Sequence, residues 1–595
     1  MPPLSALTRA IRSLASSVVI SALCVAAVAR AAVDPDVLAA EQRRIEAIQR
    51  ASATAVAIFA GEAGGGSGVL VSPSGYALTN FHVVQSAGPA LTCGLADGRL
   101  YDAVLVGLDP TGDVALVKLL GRDDFPYAEF ADSELVRVGD FCFAAGNPFL
   151  LATDLQPSIS AGIVSGVHRY QFPKGTILEY TDCLQVDAAI NPGNSGGGLF
   201  DAAGRLIGVN GRASFDKRGR VNVGAGYAIS ANQLRNFLGF LRAGRLVDHA
   251  SLGATVASAA DGRVLVSDIL ESSDAWRRGL RYDDEIVALA GRPVRTVNAF
   301  KNVLGTLPAG WQVPLVYRRG GRRFETLVRL SGVHAAAELA AIVAGESRPA
   351  GKPGPTPLPD DHPPAGPASD AADLPAAVRG LYEPRPGFTN FHFNSVERDR
   401  VAKAIAATSA SAATGPWELS GTLAGGGEFR IEIADGQATI DLPTGTSLLD
   451  ATGELDDPSP PGSGGLLAAL VLWRRLIHEG PAAIGSTIYW GVAPRNPATL
   501  GDPSATQFVD VLEAAVAGVV ARFSVDAAGQ VVGVELWPAP DAEACVVRFG
   551  KPRAGDPSGM PATMEVWRGD EAFGTFAFDP PAAGKAGTAA GEAAP

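Results

Sequence analysis

The sequence predicts a multidomain, mainly β chain, and three observations carry that expectation. First, between residues 53 and 240, runs rich in Val, Ile, Leu and Thr alternate with Gly, Pro, Asp and Ser clusters. The stretch Gly68-Val69-Leu70-Val71, Ser72-Pro73-Ser74-Gly75, Tyr76-Ala77-Leu78-Thr79 is typical. Turn signals at this spacing belong to hairpins, and their repetition predicts an all-β barrel or sandwich region. Second, Pro349, Pro353, Pro355, Pro357, Pro359, Pro363, Pro364, Pro367 and Pro375 crowd one segment. That segment cannot fill a core and reads as an extended linker between domains. Third, 595 residues exceed what one hydrophobic core organises.

Taken in order, residues 1–31 read as a signal peptide. Arg9 and Arg12 precede an apolar run from Leu14 to Val28, and Ala29-Arg30-Ala31 supplies small residues for cleavage. The run is shorter than the roughly 20 residues that span a bilayer, so export without a transmembrane anchor is expected. Val37 to Arg50 has helical spacing at Leu38, Ile45 and Ile48. The β-rich unit, closed by a helix from Asn232 to Arg242, is assigned residues 32–250. Residues 251–335 form a second unit of short strands with two helix candidates, and 336–378 the Pro/Gly-rich linker. Residues 379–580 read as an α+β domain. Phe429, Ile431 and Ile433 alternate with polar residues, Asp435-Gly436 turns the chain, and Ala438, Ile440 and Leu442 return. Further strands are expected at Val531 to Trp537, Cys545 to Phe549 and Met564 to Phe578, and helices at Leu466 to His478 and Gln507 to Val520. The tail 581–595 is expected to be disordered.

Composition narrows the function. The net charge is -13 and no long basic run occurs, which argues against nucleic acid as a partner. Cys93, Cys142, Cys183 and Cys545 form no CxxC pair and sit in apolar surroundings, so buried free thiols are expected rather than a zinc site. No motif implies a metal or an organic cofactor.

The β-rich unit holds three motifs that complement one another. Leu78-Thr79-Asn80-Phe81-His82-Val83-Val84 is a strand ending at a histidine. Asp109-Pro110-Thr111-Gly112-Asp113-Val114-Ala115-Leu116-Val117 is a loop delivering an aspartate before a buried strand. Asp187-Ala188-Ala189-Ile190-Asn191-Pro192-Gly193-Asn194-Ser195-Gly196-Gly197 is a glycine-rich loop presenting a serine. A serine hydroxyl needs a neighbouring base to become a nucleophile. A neutral imidazole can take its proton near neutral pH. A carboxylate fixes the imidazole tautomer and stabilises the imidazolium. Glycines around Ser195 let backbone amides converge where an oxyanion would form.

These stretches resemble those of the HtrA/Deg serine proteases, as do Val138-Gly139-Asp140, Gly146-Asn147-Pro148 and Ser160-Ala161-Gly162-Ile163-Val164-Ser165. The resemblance implies a chymotrypsin-like pair of six-stranded barrels with a triad of His82 (base), Asp113 (orienter) and Ser195 (nucleophile). It also implies an oxyanion hole formed by the amides of Gly193, Asn194 and Ser195. Where trypsin carries a carboxylate six residues before the serine, this chain has Ala189. Ile190 and Gly224-Ala225-Gly226-Tyr227-Ala228 read as apolar pocket walls, which favours cleavage after small aliphatic residues.

The second unit resembles the PDZ domain that follows the protease in that family. Ser251-Leu252-Gly253-Ala254 is the candidate carboxylate loop, and Val297 to Leu304 the candidate groove helix. Such a module adds a peptide as an extra strand and caps its C-terminus. Asp283 and Ala290 depart from the glycine and asparagine usual there. Residues 379–580 resemble nothing identified. The expected function is an exported, periplasmic endopeptidase for unfolded or damaged proteins, assembled as a homo-oligomer, a trimer by family resemblance. Two alternatives stay open: a processing protease for one partner recruited by the C-terminal domain, and a peptide-binding scaffold with little proteolysis.

Overall fold

The computed structural model describes residues 34–60, 65–147, 154–171, 173, 177–191, 193–215, 222–344, 374–409, 415–434, 436–502, 504–539, 541–553 and 559–580. The expected signal peptide, the core of the linker, Asp435 and the tail from residue 581 lie outside the described residues.

The chain enters through a helix at Pro35–Thr54. Asp34 caps it by accepting the Asp36 amide at 2.8 Å, and Pro35 occupies its first turn, where no amide is needed. The helix runs a few residues beyond the expected span at both ends and buries Ala47 and Ala51. Six antiparallel strands then close a barrel: β1 (Ala55–Phe59), β2 (Gly65–Leu70), β3 (Tyr76–Thr79), β4 (Ala90–Leu95), β5 (Leu100–Asp109) and β6 (Val114–Leu119), in ring order β1-β2-β3-β6-β5-β4. Val56, Ile58, Leu70, Val117 and Leu119 fill it.

A second closed barrel follows: β7 (Phe141–Gly146), β8 (Ser158–Gln171), β9 (Tyr180–Val186), β10 (Gly198–Asp201), β11 (Leu206–Phe215) and β12 (Asn222–Ser230), in ring order β10-β11-β12-β9-β8-β7. Closure removes the exposed edges that hairpin chains otherwise present. Two such barrels make the chymotrypsin-like fold. A helix at Ala231–Arg242, starting one residue before the expected Asn232, ends the unit.

The next unit holds β13 (Ala250–Ser251), β14 (Ala254–Ser258), β15 (Val264–Ile269), β16 (Glu285–Leu289), β17 (Arg292–Pro293), β18 (Gln312–Arg319), β19 (Arg322–Arg329) and β20 (Ser331–Gly332). Its main sheet runs β14-β15-β16-β18-β19, with helices at Asp274–Arg277 and Val297–Gly305, an arrangement that fits a PDZ-like domain. Asp283 (φ 64°) and Ala290 (φ 49°) are left-handed. Glycine and asparagine tolerate that backbone best, which explains the residues usual at these two positions.

The C-terminal unit is one antiparallel sheet of eleven strands: β21 (Trp417–Leu423), β22 (Glu428–Ile433), β23 (Gln437–Leu442), β24 (Gly445–Asp450), β25 (Ser486–Pro494), β26 (Phe508–Val516), β27 (Val519–Val525), β28 (Val531–Trp537), β29 (Cys545–Phe549), β30 (Thr563–Arg568) and β31 (Glu571–Phe578). Their spatial order is β24-β23-β22-β21-β31-β30-β29-β28-β27-β26-β25. A helix at Leu466–Glu479 packs against strands from both halves of this sheet, so the sheet curls around it. Leu466 to Trp473 are all buried, as expected for two helical turns that are apolar on every side.

One expectation fails outright. Gln507 to Val520 is not a helix but β26 and β27, joined at Ala517 (φ 48°) and Gly518 (φ 84°). Val509, Leu512 and Val516 have helical spacing, yet β26 is covered on both faces: Val509 and Val511 are buried, and so are Leu512 and Ala514. A strand buried on both faces has no alternating pattern to betray it. A helix at Phe391–Ser409 was not foreseen.

The C-terminal unit is docked on the other two. Asn394 Nδ2 donates to the carbonyls of Ala243 (3.1 Å) and Tyr489 (2.8 Å), and Trp311 Nε1 to Val492 (2.7 Å). Arg278 reaches Glu543 (2.6 Å) and Asp570 (2.9 Å). Cys93, Cys142, Cys183 and Cys545 are buried free thiols. Among the described residues no helix is long and apolar enough to cross a membrane.

Candidate active site

His82 lies on a one-turn helix, Phe81–Val84, directly after β3. The preceding residues anchor it: Thr79 Oγ1 donates to the Ser67 carbonyl (2.7 Å) and Asn80 Nδ2 to the Asp113 carbonyl (2.9 Å). Asp113 ends the turn from β5 to β6 and is fully buried, with φ at 57°. A left-handed aspartate is tolerated better than most residues there. Asp109 shapes the same turn. Its Oδ1 accepts the Gly112 amide at 2.8 Å, while its Oδ2 meets His249 Nε2 at 2.8 Å.

The two side chains meet squarely. His82 Nδ1 lies 2.8 Å from Asp113 Oδ2 and 3.0 Å from Oδ1, and the His82 amide donates to Oδ1 at 3.1 Å. Burial favours the neutral imidazole, but the charge and hydrogen bond of Asp113 outweigh it and raise the His82 pKa above its ordinary value. Tyr180, on β9 and buried, donates its hydroxyl to Asp113 Oδ2. Sequence reading missed Tyr180, because no motif marks it; only closure of the second barrel carries it to Asp113.

Ser195 comes from the second barrel but is held by the first. The Ser67 amide donates to the Ser195 carbonyl at 2.9 Å, and Ser67 Oγ donates to the Gly193 carbonyl at 2.6 Å. Gly196 has φ of 84°, and a Cβ there would lie 2.1 Å from the Ser67 carbonyl oxygen, so only glycine fits this crossing. The Ser195 hydroxyl donates to the Gly211 carbonyl at 3.2 Å.

Of the three amides expected to form an anion-binding hole, that of Asn194 is engaged, donating to the Asn191 carbonyl at 2.9 Å. The amides of Gly193 and Ser195 donate to no backbone carbonyl among the described residues.

The expected pocket residues divide by strand alternation. Ile190, Gly226 and Ala228 are buried, and a Cβ on Gly226 would meet Ile190 Cγ1 at 2.5 Å. Tyr227 points the other way and packs against a different core, while Gly224 is exposed and Ala225 half-buried. Ile190, Gly226 and Ala228 thus lie on one buried, uncharged side of this strand.

In the PDZ-like unit, Leu252 is buried and Gly253 has φ of 70°, with its amide donating to Ser251 Oγ at 3.1 Å. The Ser251 to Ala254 loop feeds β14, an edge strand that among the described residues pairs only with β15. The Val297–Gly305 helix packs on β8 and β9 of the second barrel, where Asn302 Oδ1 accepts the Asp182 amide (2.9 Å).

Residues 66–209 match the family of trypsin-like peptidase domains. The chain carries a trypsin-like peptidase domain. Its relatives include the periplasmic serine endoprotease DegP of Escherichia coli (strain K12), 35% identical over 278 residues, covering 44% of this chain and 56% of the relative. A probable DegP-like periplasmic serine endoprotease of Chlamydia trachomatis is 34% identical over 280 residues, covering 45% and 54%. This chain therefore spans about half the length of the curated relatives it matches. Among solved structures, the HtrA-type protease AlgW with tripeptide is 30% identical and covers 48% of this chain and 96% of its own, at a TM-score of 0.40. The peptidase match stops before the PDZ-like unit.

Proposed function

We propose that this protein is an exported, periplasmic serine endopeptidase that cleaves unfolded or damaged proteins, and that His82, Asp113 and Ser195 do the chemistry. The observation carrying the reading is the His82–Asp113 pair at 2.8 Å, on the same barrel to which the serine loop of the other barrel is tied. Export is supported by the N-terminal residues and by the periplasmic names of the relatives.

In this mechanism Ser195 Oγ turns from the Gly211 carbonyl and attacks the scissile carbonyl carbon. His82 Nε2 takes its proton and then passes it to the leaving amine. Asp113 holds the Nδ1 proton, and Tyr180 and the His82 amide keep its carboxylate in place. The Gly193 and Ser195 amides receive the oxyanion, a service worth about 3 to 4 kcal/mol per donor elsewhere. Ile190 and Gly226 limit the residue before the cut to a small aliphatic one such as Val or Ala. The β14 edge takes an extended peptide, with Ser251 to Ala254 at its carboxylate end.

Two results test this. Mature protein is expected to cleave unfolded casein mainly after small aliphatic residues, and Ser195→Ala to leave no detectable cleavage. Equal cleavage by both would refute the assignment. The pH profile has a defined sign: His82 must be neutral to accept a proton, and its pKa is raised. Thus kcat/KM should climb through an apparent pKa above 6.5, falling about tenfold per pH unit below it. A flat profile between pH 5 and 8 would exclude His82 as the base.

A narrower role, cutting one partner brought by the C-terminal unit, is favoured by the eleven-stranded sheet lying beyond the matched region. A panel of unrelated unfolded proteins, cleaved broadly or not, separates the two.

A further inference from the structure

Where the outer face of the C-terminal sheet meets the PDZ-like unit, a cavity of about 60 Å³ remains. Trp311, Gln312 and Arg329 line it from one side, and Arg522, Ser524 and Arg548 from the other. A single water needs roughly 10–15 Å³ measured this way. The space therefore suits a few waters or one compact anion, and is too small for a nucleotide or a peptide.

The charge around it is unbalanced. Arg329 pairs with Glu535 at 2.8 Å and Arg522 with Glu513 at 2.7 Å. Arg495, also on the lining and 30% exposed at the mouth, has its nearest carboxylate, Asp526, at 3.9 Å. Arg548 is half-buried and belongs to no ion pair among the described residues. Its cross-strand neighbour Glu565 is exposed and outside the lining. Four guanidiniums line the wall: Glu535 on the wall meets Arg329, while Glu513 and Asp526 lie beside Arg522 and Arg495, which leaves Arg548 as the one without an ion pair among the described residues. Burial opposes the Glu535 charge, yet Arg329 and Arg522, with a smaller contribution from Arg548, hold its pKa below the usual value. Burial and Arg329 press the other way on Arg522 and lower its pKa. A half-buried guanidinium without an ion pair, such as that of Arg548, is favoured by a counter-ion or ligand that meets it.

We propose that this cavity binds one small tetrahedral oxyanion of the phosphate class, held by Arg548 with Ser524 and Gln312, at the seam between the PDZ-like and C-terminal units. Guanidinium forks match the paired oxygens of such an anion. An occupant bound only in the docked arrangement stabilises that arrangement by mass action. The site would thereby make the seam responsive to anion concentration, independently of the peptidase chemistry.

The test is thermal unfolding and calorimetric titration of the full chain with inorganic phosphate, against sodium chloride and sodium acetate at matched ionic strength. Phosphate is expected to bind and to raise the melting temperature in a saturable way, with chloride and acetate without such effect. Arg548→Gln should weaken phosphate at least tenfold with an unchanged circular dichroism spectrum. Ser524→Ala, a smaller change that keeps the fold, should weaken it several-fold. No phosphate binding by the parent chain, an equal response to acetate, or full binding by both variants would overturn the proposal.

Discussion

Asp113→Asn is expected to fold like the parent and to lose about four orders of magnitude in kcat. Both carboxylate oxygens of Asp113 accept donors: Oδ1 from the His82 amide, Oδ2 from Tyr180 and from His82 Nδ1. An asparagine must turn its NH₂ toward one side. The His82 amide cannot reverse its role, whereas the Tyr180 hydroxyl can rotate and accept. The NH₂ therefore takes the Oδ2 position, 2.8 Å from His82 Nδ1 in the parent. That nitrogen must then act as an acceptor, the imidazole proton moves to Nε2, and no base remains for Ser195. The loss corresponds to roughly 5 kcal/mol of barrier. Steady-state hydrolysis of a chromogenic peptide ending in Val or Ala, with circular dichroism as the control for folding, measures it. A loss below tenfold would mean that Asp113 does not orient the base.

Trp490→Ala should destabilise the docked C-terminal unit by about 3–5 kcal/mol, the range for removing a buried aromatic. Trp490 belongs by sequence to β25, yet its ring packs with the peptidase and PDZ-like core. It lies edge-on to Phe240 at 4.9 Å, beneath the Arg522 guanidinium at 4.1 Å, and against Gly310. Truncation would leave a void where three units meet and would strip Arg522 of an aromatic face. Urea denaturation followed by circular dichroism should show the transition of the C-terminal unit moving to lower urea, separating from that of the barrels. An unmoved transition would show that the polar contacts of Asn394 and Trp311 suffice for docking.

The two variants probe parts of the molecule that differ in how far they can be read from sequence. The turns bearing His82, Asp113 and Ser195 are specified locally. Gly196 has no room for a Cβ, and Gly193, like Gly196, takes a positive φ that other residues resist. Residues of that kind write their backbone into the sequence, so the three loops stand out in it. The alternating hairpin of β22 and β23 and the apolar run Leu466 to Trp473 that opens the helix Leu466–Glu479 were equally plain, since period and burial agree there. Tertiary structure alone decided the rest. Tyr180 reaches Asp113 across 67 residues of sequence, and His249 reaches Asp109 across 140. Neither pair lies within the reach of a turn, and neither residue type is informative alone. Strand β26 lost its period because two neighbours cover it, which a window of one chain segment cannot register. The eleven-strand order, in which β21 pairs with β31, is likewise settled by long-range closure. Local backbone demands are encoded residue by residue, whereas pairing between distant strands is chosen by the packing of the whole and appears only once the chain has folded.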